Sequence, residues 1–240
     1  MVESELHNVR SYRLEQISNI FFLLASVSYL VSAVKDNNHR GDDDDTDVEN
    51  ATTAATKEQN EVWIFLCLGA LGWVFVGLID WYNKRHWFHI FLVLAGIFGL
   101  VSALLRLENE KGSEILNSLS VHCFLLEGIS LLRQDRKLPK SDYTCTLKFA
   151  NLCFFVGALI DVVLSYVYLN EEEYLSPIKR IISLQRGEIA SSTFWLVAAC
   201  GHLLITVLAG KGGMKSSPAA MMYTTDQSGN TNLSKLHIMA

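Results

Sequence analysis

Six apolar stretches recur along the chain, at residues 17–34, 62–79, 88–105, 115–132, 149–169 and 193–209, and none contains a Lys or Arg. A hydrocarbon core roughly 30 Å thick requires on the order of 20 helical residues, with about 17 as the lower limit. Each stretch is therefore long enough to cross a bilayer. The charged residues lie almost wholly between the stretches, and this distribution carries the reading. The pattern predicts an all-α, polytopic membrane protein of six transmembrane helices arranged as three helical hairpins. They occupy residues 17–83, 87–133 and 149–209, after an N-terminal segment 1–16 and before a tail 210–240 whose Gly, Ser, Thr and Asn content predicts disorder. No proline falls inside a stretch, so that cause of kinking is missing.

The connections differ in character. The turn 82–86 is short and predicts a tight antiparallel packing of the second and third helices. Trp63 and Trp81 bracket the second helix about 27 Å apart, as interfacial aromatics do. Segment 35–61 carries nine acids against Lys35, Arg40 and Lys57, more than the whole net charge of −5. Its part 41–57 reads as a solvated, disordered loop, since the Asp run lacks the alternating ligands and Gly of a calcium loop. Ser176-Pro177 opens an amphipathic helix 177–186 with Ile178, Ile181 and Ile182 on one face, predicted to rest in the headgroup layer.

Half of the 240 residues are hydrophobic and 19% are charged, with a mean hydropathy of +0.23. Outside the acidic loop the chain is close to neutral, which argues against a nucleic-acid partner. The loops on the side of both termini hold twelve basic residues against eight on the other side. The positive-inside rule then places both termini in the cytoplasm of a cell bounded by a plasma membrane or endomembrane that holds the chain. Segment Asn50-Ala51-Thr52 is an N-glycosylation sequon, which this topology puts outside. Residues 17–34 read as a retained helix rather than a signal peptide, because Glu3, Glu5 and Glu15 precede it beside Arg10 and Arg13. Cys67, Cys123, Cys153 and Cys200 lie within stretches and Cys145 just before the fifth. They form no paired framework, so no disulfide, metal or cofactor is expected.

First helices of the three hairpins share a small-residue step, seen at Ala25-Ser26, Ala95-Gly96 and Gly157-Ala158. Duplication explains this step, and so does the small alphabet of apolar helices. Tyr12-Arg13-Leu14-Glu15, Asn19, Phe22 and Ala25-Ser26, followed by Trp63-Ile64-Phe65-Leu66, Gly69, Gly72 and Leu78-Ile79, form a pattern that resembles the YrhK-like two-helix membrane domain. The resemblance is strongest over residues 12–83. It implies an integral membrane protein without a known catalytic residue set, and it carries no site residue onto this chain.

Small residues at helical spacing mark close packing in lipid. Gly69, Trp73 and Gly77 share a stripe, as do Gly96, Gly99 and Ala103. Gly157, Asp161 and Ser165 form another, and so do Ala198, His202, Thr206 and Ala209. The same faces offer surfaces for a homo-oligomer. The costly residues are Glu127 and Asp161, since a carboxylate near the bilayer centre costs about 2.5–3.5 kcal/mol. No Lys or Arg lies inside the stretches to pair with them. Each acid either carries a proton and donates a hydrogen bond or pairs with an imidazole, for which His202 sits at similar depth. Asp80 and His89 fall at helix ends, where interfacial water is expected to solvate them. Glu127, Asp161 and His202 then read either as a proton or ion site or as interhelical hydrogen bonds that fix register. HExxH, GxSxG and P-loop motifs are missing. The expectation is a non-catalytic membrane protein that organises or senses; the alternative is a small-solute or proton-coupled transporter using the intramembrane acids.

Overall fold

The computed structural model describes residues 2–39, 48–106, 109–138, 142–169 and 177–211. Side chains at 2–8, 37–39, 48–60, 110, 142–143, 177–185 and 209–211 lie outside the described set. Helices α1 (Val2–His39), α2 (Val48–Lys84), α3 (Ile90–Leu105), α4 (Glu110–Asp135), α5 (Asp142–Leu169) and α6 (Pro177–Lys211) follow one another, with a 3-10 turn at Trp87–His89 leading into α3. Among the described residues there is no strand. Six segments of these helices are long and apolar enough to span a membrane, in the order predicted.

Two boundaries differ from expectation. Helix α2 begins at Val48, so residues 48–57 are helix rather than loop, and Asn50 lies in its first turn with its side chain outside the described set. Ala, Lys and Glu in that segment are good helix formers, which outweighs its polarity. Residues 177–186 are not a separate interfacial helix but the start of the continuous helix α6, because nothing after Pro177 interrupts the ladder. The tail beyond Lys211 lies outside the described residues.

Each helix packs against its neighbours in sequence, and α6 closes back on α1. The hairpins thus form a ring. Its outer surface is apolar, with Leu68, Phe75, Ile97, Leu126, Leu152 and Leu204 exposed. Long helices with apolar outer faces and polar groups turned inward are the solution a bilayer imposes. The chain is a multi-pass integral membrane protein.

Glycines set the helix spacing. A Cβ at Gly77 would sit 2.6 Å from the Val93 backbone nitrogen, and one at Gly96 would sit 2.6 Å from that of Val74. Helices α2 and α3 therefore touch backbone to backbone on the stripes read from the sequence. Near the other end of α3, Ser102 Oγ donates to the Ser113 carbonyl at 2.8 Å and Ser113 Oγ returns a bond to the Ser102 carbonyl at 2.9 Å.

The centre of the ring is filled by aromatic rings. Trp73 on α2 meets Phe124 on α4 at 4.8 Å and Trp195 on α6 at 5.1 Å between centroids. Phe124 and Trp195 are 4.6 Å apart, and Phe22 and Phe154 complete the cluster. These contacts join helices that are not neighbours, so the cluster lies on the ring axis. It divides the interior into two halves.

Candidate functional site

The chain turns from α2 into α3 within a few residues. Arg85 ends α2 in a left-handed conformation with φ of 52°, and its N–H donates to the Trp81 carbonyl at 2.9 Å. The 3-10 turn then places His89 at the start of α3, pointing into the ring. Phe88 packs against it at 4.3 Å between ring centroids.

His89 faces Glu127, which lies one turn from Phe124 on α4. His89 Nδ1 and Glu127 Oε1 are 2.8 Å apart, and each side chain is about 1% exposed. A buried pair of this kind is tolerable when it is neutral overall, with a single proton shared across the Nδ1···Oε1 contact. Gaining or losing a proton leaves an uncompensated charge out of water. The remaining atoms, His89 Nε2 and Glu127 Oε2, are buried without a hydrogen-bond partner among the described residues. Each unsatisfied buried polar atom costs roughly 1–3 kcal/mol.

A second charged pair adjoins the first from α2. Asp80 Oδ2 accepts from Lys84 Nζ at 2.9 Å, and Oδ1 accepts from Ser18 Oγ of α1 at 2.7 Å. Asp80 and Lys84 are within electrostatic range of Glu127, and Asp80 within range of His89. The expectation that Asp80 and His89 are solvated is therefore incorrect: Asp80 is buried and His89 is among the most buried side chains of the molecule. Position at a helix end does not expose a residue when the helix end itself is drawn inside by a tight turn.

His202 does not pair with Glu127. Its ring packs against Phe22 at 5.7 Å, and its backbone carbonyl accepts from Asn19 Nδ2 at 3.3 Å, tying α6 to α1. It shares the half of the ring that holds Asp80 and Lys84. Asp161 lies in the other half. From the aromatic cluster, Glu127 is three residues along α4 in one direction, and Asp161 is seven along α5 in the other. At 1.5 Å per residue they are separated by about 15 Å along the axis. Asp161 is within electrostatic range of Ser191 and Glu188 on α6 and of Tyr29 on α1. The three residues singled out in the sequence thus occupy three separate places.

The described residues contain no group of three or more His, Cys, Asp or Glu side chains arranged for a metal. The described cysteines are free. His89 stands seven residues before Gly96, on the same face of α3, a spacing that could have marked it as inward-facing although its place at a helix end predicts solvation. Comparison with known protein families, curated proteins and solved structures finds no match.

Proposed function

We propose that this protein is a non-catalytic, proton-responsive membrane protein, in which Glu127 and His89 bind a proton and report its presence through the packing of α3 on α4. The observation that carries the reading is the fully buried Nδ1···Oε1 contact of 2.8 Å with one free polar atom left on each partner. The pair has one charge-neutral state. A further proton makes it cationic, and the neutral Asp80–Lys84 pair beside it offers no net compensation. Relief comes from moving α3, α4 or both, which is how a local charge change becomes a change of shape.

The test reads the aromatic cluster, because Trp73 and Trp195 contact Phe124 one turn from Glu127. The full chain in lipid vesicles is titrated with acid while tryptophan emission is followed. The wild type is expected to show a proton-dependent transition that Glu127→Gln and His89→Gln lack. Identical titrations of wild type and Glu127→Gln would overturn the reading. The alternative, proton-coupled transport, draws support from one specific feature: polar side chains stand on the ring axis on both sides of the aromatic cluster.

A further inference from the structure

Titratable side chains lie on both sides of the aromatic cluster, more than a sensor with one proton site needs. Tyr29 reaches across the interior from α1. Its hydroxyl would lie 3.4 Å from a Cβ built on Gly99 of α3, its ring would lie 2.8 Å from one on Gly69 of α2, and it meets Trp195 of α6 at 5.7 Å. Asp161 on α5 flanks the same space with Ser191 and Glu188 of α6. Tyr29 and Asp161 are each partly exposed, whereas Glu127 and His89 are fully buried.

The aromatic cluster between the halves is also not uniformly apolar. Trp73 Nε1, Trp195 Nε1, Glu127 Oε2 and His89 Nε2 are buried without a hydrogen-bond partner among the described residues. Four unpaired polar atoms thus belong to the aromatic cluster and to the Glu127–His89 pair. In a core built only for stability, such atoms are avoided. Trp195 occupies its position because residue 157 is Gly: a Cβ there would lie 2.1 Å from Trp195 Cδ1 and 2.3 Å from Nε1. The indole rests on bare backbone, with the Ser191 hydroxyl donating to the Gly157 carbonyl beside it at 3.1 Å.

We infer that the ring is a gated proton path, with Asp161 as the proton-exchanging group on one side, Glu127–His89 on the other, and the Trp195 indole seated on Gly157 as the closed gate. The inference rests on the proton-binding role proposed for Glu127. When Trp195 swings away, the O–H bond of protonated Asp161 breaks, its proton passes through intervening water, and an O–H bond forms at Glu127 Oε2. The proton at Oε1 meanwhile moves onto His89 Nδ1, and the N–H bond at His89 Nε2 breaks to release a proton to the other side, so the pair stays neutral. Asp161 is left as a carboxylate and is reprotonated from its own side. The charged and titratable groups facing the path are Tyr29, Cys67, Glu188 and Asp161 in one half and Asp80, Lys84, His86, His89, Glu127 and His202 in the other.

The test is potential-driven proton flux into vesicles that hold the full chain and a trapped pH-sensitive dye. A potassium gradient with valinomycin sets the potential. Wild type is expected to give a small flux, and Trp195→Ala at least tenfold more. Adding Asp161→Asn or Glu127→Gln to Trp195→Ala should return the flux to that of empty vesicles. Should Trp195→Ala fail to fold, Trp195→Leu is used, with at least a threefold rise expected. A rise that Asp161→Asn leaves intact, no rise in a folded Trp195 variant, or a leak equally permeable to chloride would each overturn the path. If Asp161→Asn blocks the flux and Glu127→Gln does not, the path exists without Glu127, and the proton-binding role of Glu127 is what fails.

Discussion

Arg85 carries the one positive φ among the described non-glycine residues, at 52°. A side chain in this region costs roughly 1–2 kcal/mol, which glycine escapes. Arg85→Gly is therefore expected to stabilise the protein by about 1 kcal/mol, seen as a higher thermal midpoint in detergent; an equal fall would mean that the guanidinium holds the turn. The buried pair makes an opposite prediction. Removing either His89 or Glu127 leaves the other partner unpaired in the core, so each single alanine variant should lose roughly 1–3 kcal/mol. The double variant should lose clearly less than the sum, because the penalty of an orphaned partner is then removed. Additive losses in that cycle would show that the two groups do not interact. The sequence identified Glu127 by its charge inside an apolar stretch, an anomaly visible without any neighbour. It could not identify His89 as the partner, since depth at a helix end depends on the tightness of a turn and not on hydropathy.

At the scale of the helix, small residues at three- and four-residue spacing were legible because lipid offers no hydrophobic drive and helices must fit by shape. The contact of α2 with α3 bears this out at Gly77 and Gly96, where an added Cβ would meet backbone nitrogen at 2.6 Å. Alanine at either position must part the helices, with an expected loss of roughly 1–3 kcal/mol. Gly99→Ala should cost less, since its nearest neighbours are the movable side-chain oxygens of Ser120 and Tyr29 at 3.3 and 3.4 Å. Thermal unfolding of the three variants checks the order; equal losses would contradict the close approach. The helical start of α2 at Val48 escaped the reading because polar composition resembles that of a loop. A helix of polar composition is written in propensity rather than in apolar periodicity.

The closed ring was not legible at all, because adjacency in sequence says which helices form hairpins but not that the last returns to the first. Asn19 Nδ2 and Thr206 Oγ1 stand 3.5 Å apart across that seam. Cysteines at these two positions, in a chain with its native cysteines replaced, should join within one molecule on treatment with a short thiol cross-linker. Products only between molecules would instead mean that α6 packs against another copy. Within the ring, the proposed function turns on whether Glu127 exchanges a proton. Infrared difference spectroscopy of the full chain in lipid vesicles, recorded between acidic and neutral conditions, observes carboxyl groups directly. A carboxyl band present in wild type, absent in Glu127→Gln and shifted in frequency in His89→Gln is the expected result. Superimposable spectra for wild type and Glu127→Gln would contradict it.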